Sequence, residues 1–175
     1  MLYFAYGSNM LTERLRARVP SAQPVARARL SDRELRFHKR GQDGSGKRNI
    51  VDATTASTHV WGMLFDIASE DLPALDEAEG RGHGYERCRI HPQGPDSIVE
   101  AFAYVAQSSH IDESLTPFAW YWAVVRAGAR QHHLPSDYRS SLGPSSTCPD
   151  PDEDRRAQYH RLLARAGFAD AWPQT

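Results

Sequence analysis

Cysteine is scarce in this chain, with 2 in 175 residues. Cys88 and Cys148 stand far apart, and neither has a second thiol at metal-like or redox-like spacing. A structural disulfide framework and a thiolate metal knot are therefore both excluded, and a reduced, cytoplasmic setting is expected. Long apolar runs are missing as well. No stretch approaches the ~20 apolar residues that cross a bilayer. The N-terminus lacks the basic lead-in of a secretory signal, so neither a membrane span nor a leader is expected. The 8 histidines are scattered, and none sits with partner carboxylates at the spacing of a zinc helix. No metal is expected, and no repeat or low-complexity tract interrupts the chain.

What is present is the make-up of a folded soluble domain. Hydrophobic residues are 40% of the chain and charged residues 25%. The length accommodates one domain with a real core. Net charge is −1 but unevenly spread: residues 1–50 hold 11 Lys/Arg against 4 Asp/Glu, and residues 51–175 hold 10 against 18. A basic half raises nucleic acid as a partner. Its arginines, however, are interleaved with Leu, Ala and Val and not with stacking aromatics. A basic face that pairs with the acidic half of the same chain is the preferred reading, with no nucleic-acid partner.

The first ten residues, MLYFAYGSNM, carry the densest local signal. Met1 to Tyr6 is short, apolar and aromatic, the pattern of a strand buried on both faces. Gly7 permits a sharp turn, and Ser8 and Asn9 are both good helix N-caps. Strand, tight loop and helix N-terminus would aim several backbone N–H groups into one small space with a positive dipole end behind them. Such a place holds a carboxylate or an oxyanion. An ordinary core strand followed by a turn has the same pattern.

Further on, Met10, Leu11, Leu15 and Val19 recur at helical spacing until Pro20. Pro24 to Phe37 alternates as strand around a Ser31-Asp32 turn. Residues 39–48, KRGQDGSGKR, read as a mobile charged loop that lacks phosphate-loop spacing. Asn49 to Ala56 and His59 to Ile67 read as strands. Val60 to Phe65 should be central, with Gly62 marking a close backbone approach or a bulge. Ser69 to Glu79 reads as a helix capped by Ser69 or Asp71, with Pro73 in its first turn and Gly80 at its stop. Tyr85 to Pro92 and Ser97 to Ala106 form a strand pair. Thr116-Pro117 opens an aromatic helix that runs toward Leu134-Pro135. A short helix from Ser136, a Gly143 to Thr147 linker and a last helix from Pro151 to Ala166 complete the chain. The order predicts an α+β domain, with a small mixed β-barrel or a strongly curved sheet and flanking helices. Residues 1–145 form the main domain, and residues 146–175 a helical extension packed on it.

Residues 75–80, LDEAEG, supply the candidate acid/base. At about 100° per helical residue, Glu79 falls within about 10° of the buried face marked by Leu72 and Leu75, and Glu77 falls nearly opposite. A carboxyl with its head buried has a raised pKa, the property of a general acid/base near neutral pH. Fraying at Gly80 would instead turn Glu79 to solvent. Other nucleophiles are weaker candidates. Ser8 lacks the second glycine of a nucleophile elbow and reads as a cap and hydrogen-bonding group. Cys88, flanked by Arg87 and Arg89, is better read as a structural thiol. Tyr121, between two tryptophans, is either core packing or a hydroxyl at a pocket edge.

Residues 3–14, YFAYGSNMLTER, closely resemble the opening motif of the γ-glutamylcyclotransferase family, also described as AIG2-like. LDEAEG resembles that family's catalytic segment, in which the glutamate before the glycine is the acid/base. Val60-Trp61-Gly62 resembles its central strand. Tyr121, thirteen residues before Leu134-Pro135, occupies the place of a substrate-contacting tyrosine. The match keeps register over residues 1–140. The tail after about residue 145, the loop at 39–48 and the Arg81 to Gly84 insert fall outside it.

The resemblance implies an intramolecular cyclotransferase that releases 5-oxoproline and an amino acid or amine from a γ-glutamyl compound. Glu79 would be its acid/base. Tyr3, Phe4, Ala5, Tyr6, Gly7, Ser8 and Tyr121 would contact substrate. It implies no cofactor, and a monomer or homodimer. A non-catalytic pocket for a γ-glutamyl or 5-oxoproline-like molecule is the alternative. Relatives specific for glutathione carry a different opening motif.

Overall fold

A computed structural model describes residues 1–55 and 57–172. Its strands are β1 (Leu2–Ala5), β2 (Gln23–Ser31), β3 (Arg33–Arg40), β4 (Gly46–Asp52), β5 (His59–Asp66), β6 (Tyr85–Ile90) and β7 (Ala101–Ala106). Its α-helices are α1 (Thr12–Arg16), α2 (Leu72–Glu79), α3 (Ala119–Gln131), α4 (Ser136–Ser141) and α5 (Glu153–Arg165). Five strands form a mixed sheet in the order β2-β5-β1-β7-β6, and β3 and β4 form a separate hairpin. The architecture is the expected mixed α+β. The sheet, however, is open, with β2 and β6 at its edges, and no barrel closes.

β1 is the central strand, antiparallel to β5 and parallel to β7. Strand side chains alternate across the sheet, so β1 feeds two cores. Tyr3 and Ala5 enter the larger one, with Met63, Phe65, Phe102 and the apolar face of α3. Phe4 and Tyr6 enter the second, with Ala28, Leu30, Ile50 and Val60. β5 lies inside the sheet between β2 and β1, where its almost wholly apolar sequence belongs. Gly62 marks a close approach: a Cβ there would stand 2.5 Å from the Ala5 carbonyl oxygen and 2.7 Å from the Phe4 ring.

Several local expectations change. A 3-10 turn at Ser8–Met10 precedes α1, which has five residues, and no side chain caps either. The strong dipole end expected behind the opening loop is therefore absent. Ser69–Asp71 is likewise a 3-10 turn, and Asp71 accepts from the Ser21 amide instead of capping α2. Gly80 ends α2 in the left-handed conformation, as its position suggested. α3 begins after Phe118, not at Thr116. The charged run 39–48 is no mobile loop. Lys39 and Arg40 end β3, Gly46 to Arg48 open β4, and the turn between them is short. Polar partners explain this: Asp43 binds the Ser45 amide and the Lys47 ammonium, which ties the hairpin end together. Ala56, the expected end of the strand after Asn49, lies outside the described residues, as do residues 173–175 of the expected extension.

α5 is capped by Asp152, which accepts from the Arg155 amide. Its Tyr159 ring stacks on Trp120 of α3 at 3.7 Å with an interplanar angle of 1°. The buried Asp150 carboxylate accepts from the Trp120 indole at 2.7 Å and pairs with Arg155.

Gly128 sets how closely α3 approaches the opening turn. A Cβ there would lie 2.5 Å from the Leu11 nitrogen and 2.6 Å from the Met10 carbonyl carbon, both backbone atoms. Gly128→Ala gains about 1 kcal/mol of helix propensity and loses more to overpacking, typically about 1–3 kcal/mol. A lower midpoint in urea denaturation is the expected outcome. An unchanged or raised midpoint would show that the contact yields freely.

Candidate active site

α2 ends beside the opening turn, and Glu79 reaches across to it. Its side chain is 17% exposed, and its Oε1 accepts from Asn9 Nδ2 at 2.8 Å and from Arg18 at 3.0 Å. Oε2 has no partner among the described residues. Asn9 also donates to the Tyr3 hydroxyl at 3.2 Å and accepts from Arg18 at 3.2 Å. Glu79 therefore faces the interior, and Glu77 is exposed. Asn9, expected as a cap, instead connects the carboxylate to the loop. Ser8 is not a cap either: its Oγ accepts from Arg14 Nε at 3.1 Å.

A chamber of about 30 Å³ lies at this junction, lined by Tyr3, Tyr6, Gly7, Ser8, Asn9, Arg48, Glu79, Tyr85, Tyr104 and Tyr121. It adjoins an outer cleft of about 350 Å³ that shares Ser8, Glu79, Tyr85 and Tyr121 with it. The Gly7, Ser8 and Asn9 amides have no acceptor among the described residues, whereas the Met10 amide is taken up by the Gly7 carbonyl. Gly7 has φ −115°, which any residue adopts. What requires glycine is space: a Cβ would stand 3.2 Å from the Tyr121 hydroxyl.

Tyr121 is buried, and its hydroxyl accepts the Arg48 amide at 3.0 Å. That leaves the phenolic proton free to be donated. Burial raises the pKa of Tyr121, so it stays a donor through the physiological range. Tyr3 is raised by burial and by the nearby Glu79. Tyr85 donates to the Arg48 carbonyl at 2.6 Å, and Tyr6 donates to the Tyr104 carbonyl.

Tyr3, Tyr6, Gly7, Ser8, Glu79 and Tyr121 thus meet in one place. Phe4 and Ala5 do not line it: Phe4 is buried in the second core and Ala5 in the larger one. The reading of the residues overlooked Asn9 as the partner of Glu79, and Arg18, Lys39, Arg48 and Tyr85 as wall residues. Arg18 could have been found, since it stands four residues beyond Arg14, the last residue of the opening motif. Nothing local marks the others. Cys88 lies elsewhere, and burial with Glu86 beside it raises its thiol, against any activation by the flanking arginines. A larger cavity of about 530 Å³, near His38, His59 and Tyr138, contains none of the candidate site residues named from the sequence.

The AIG2-like family model matches residues 59–142. Gamma-glutamylcyclotransferase of Bos taurus is 32% identical over 146 residues, which are 81% of this chain and 76% of that protein. Gamma-glutamylcyclotransferase of Homo sapiens is 32% identical over 147 residues, with the same coverage. A solved structure of a gamma-glutamyl cyclotransferase superposes with TM-score 0.79 at 26% identity, covering 92% of this chain and 98% of that one. The open mixed sheet and its helices are thus those of a cyclotransferase enzyme. More particularly, the chain belongs to the gamma-glutamylcyclotransferase family.

Lys47, on the wall of the outer cleft, gives a pH signature. Its ammonium donates to Asp43 at 2.7 Å and lies 4.8 Å from the Trp120 and Tyr121 ring centroids. Burial lowers its pKa from 10.5 to about 8 despite the Asp43 partner. Below pH 8 the proton is bound in both folded and unfolded chains, so the burial penalty is fully present. Between about 8 and 10.5 the unfolded chain binds more protons, so native stability gains. Urea denaturation of the native chain and Lys47→Met at pH 7.5 and 9.5 is expected to show the native chain gaining on the variant. A pH-independent gap would exclude this.

Proposed function

We propose that the chain converts a γ-glutamyl compound into 5-oxoproline and a free amino acid or amine, with Glu79 carrying the proton. The names of its relatives point to the γ-glutamyl group. The single observation that carries the roles is the Asn9 bridge, which holds the Glu79 carboxylate against a loop whose Gly7, Ser8 and Asn9 amides have no acceptor among the described residues.

In this reading the glutamyl half occupies the inner chamber. The substrate α-amine attacks its own γ-carbonyl carbon and closes a five-membered ring. Nucleophile and electrophile belong to one molecule, so a near-attack pose supplies much of the rate. Glu79 Oε2 takes a proton from the attacking amine, and the γ-carbonyl oxygen becomes an oxyanion. The Gly7 and Ser8 amides face that charge as fixed donors. Removing one such donor typically costs about 3–4 kcal/mol. The tetrahedral centre then collapses. The C–N bond to the leaving group breaks, and Glu79 returns its proton to the departing nitrogen. Tyr121, a donor whose position is set by the Arg48 amide, orients the glutamyl group. The Asn9 and Arg18 contacts occupy Oε1 and leave Oε2 for this traffic.

Glu79→Gln keeps the shape and removes the proton carrier. Formation of 5-oxoproline from γ-glutamyl-alanine is expected to fall by roughly 10²–10⁴-fold in kcat, with KM little changed. A variant that retains native kcat would remove Glu79 from the chemistry.

A further inference from the structure

The outer cleft has more positive than negative charge. Arg14, Arg18, Lys39, Lys47 and Arg155 line it, against Asp43 and Glu79. Three of these cations are answered: Arg18 by Glu79, Lys47 by Asp43, and Arg155 by Asp150 and Asp152. Arg14 is held by neutral groups, the Ser8 and Tyr159 hydroxyls. Lys39 is 6% exposed, and among the described residues its ammonium has no hydrogen-bond acceptor and no ion-pair partner. It rests 4.4 Å from the centroid of the Tyr85 ring, a weak compensation for a buried cation. It stands directly opposite Lys47 in the β3–β4 register, a like-charge pairing that strands avoid. A Cβ on Gly84 would lie 2.8 Å from its nitrogen, so glycine there leaves the ammonium its room. A buried, unpaired cation costs stability unless a ligand supplies the counter-charge.

The two unanswered cations lie on different walls. Arg14 is bonded to Ser8, on the loop that takes the glutamyl half. Lys39 is on the β3–β4 hairpin, beside Gly84 and Tyr85. A γ-glutamyl amino acid whose α-amine is in its reactive neutral form carries two carboxylates, one on each half. A γ-glutamyl amine carries one.

We propose that Lys39 is the specificity-determining residue for the leaving group, binding a carboxylate there and so selecting γ-glutamyl amino acids over γ-glutamyl amines. This rests on the reading that the cleft cyclises γ-glutamyl compounds. Arg14 then serves the glutamyl carboxylate. The hairpin at 33–52, which lies outside the opening and catalytic motifs, sets the substrate range. Charge-assisted hydrogen bonds are directional and short, so shape and charge of the leaving group are read together.

The test compares γ-glutamyl-alanine with γ-glutamyl-ethylamine, which differs from it by the leaving-group carboxylate alone. The native chain is expected to favour the alanine compound roughly 10- to 100-fold in kcat/KM. Lys39→Met keeps the apolar stem against Tyr85 and removes the charge. It is expected to abolish that preference, acting chiefly on KM for γ-glutamyl-alanine. Lys39→Arg is expected to restore part of the preference. Thermal melting of Lys39→Met should be at or above the native value, because an unpaired buried charge has gone. Equal losses on both substrates, or a native chain indifferent to the carboxylate, would overturn the assignment. Calorimetric binding of both compounds to Glu79→Gln, with and without Lys39→Met, reads the same selectivity without turnover. Selectivity that persists there without Lys39 overturns its role. Selectivity that vanishes with Lys39 upholds that role, even if no 5-oxoproline forms and the cyclisation reading falls.

Discussion

The arrangement depends on one buried cation, the Arg48 guanidinium. Arg48 is 1% exposed and has no carboxylate partner among the described residues. One terminal nitrogen donates to the Tyr6 carbonyl at 2.9 Å and the other to the Leu142 carbonyl at 2.6 Å. Its backbone donates to the Tyr121 hydroxyl and accepts from the Tyr85 hydroxyl. One residue therefore connects the end of β1, the entry of β4, helix α3, strand β6 and the chain after α4. Burial lowers its pKa, yet a guanidinium keeps its charge under such penalties. The rings of Phe37 and Trp122, at 5.1 and 5.9 Å, face it. Among the described residues its Nε has no partner, an omission that typically costs roughly 1–3 kcal/mol. The opening loop is held at that cost with its carbonyls engaged and its amides free.

Around this anchor the site is built from distant stretches held by polar contacts. The Asn9 side chain, the Glu79 carboxylate and Arg18 form one network from three elements. Opposite, the Trp120–Tyr159 stack brings α5 to the cleft, where Tyr159 and Arg155 are wall residues. Packed aromatics and buried polar contacts such as these set side-chain positions more narrowly than apolar area alone. Tyrosines dominate the wall of the inner chamber, and cations outnumber carboxylates on the wall of the outer cleft.

The pattern of the chain made much of the fold legible. Alternation and apolar runs located β1, β2, β5, β6 and β7, and the 3.6 period with Gly80 located α2 and its end. The same periodicity placed Glu79 inward and Glu77 outward, as the structure has them. The hairpin β3–β4 was only half legible. Its turn end, residues 39–48, is Gly-rich and charged, a composition that reads as loop until Asp43 is seen binding Lys47 across the turn. The caps failed similarly: Asn9 and Ser8 have capping chemistry, but tertiary partners took their side chains.

By itself, then, the sequence located β1 and α2 and put Glu79 on the buried face of α2, with fraying at Gly80 left open as the alternative. These are local properties, set by dihedral preference and by the spacing of apolar side chains. Tertiary structure alone decided that Glu79 meets Asn9, that Tyr121 stands over Gly7, and that Lys39 and Arg48 are buried. Each of these depends on where a residue from another element stops. Gly7 and Gly128 permit such approaches through the absence of a side chain, and what fills that space is written elsewhere in the chain.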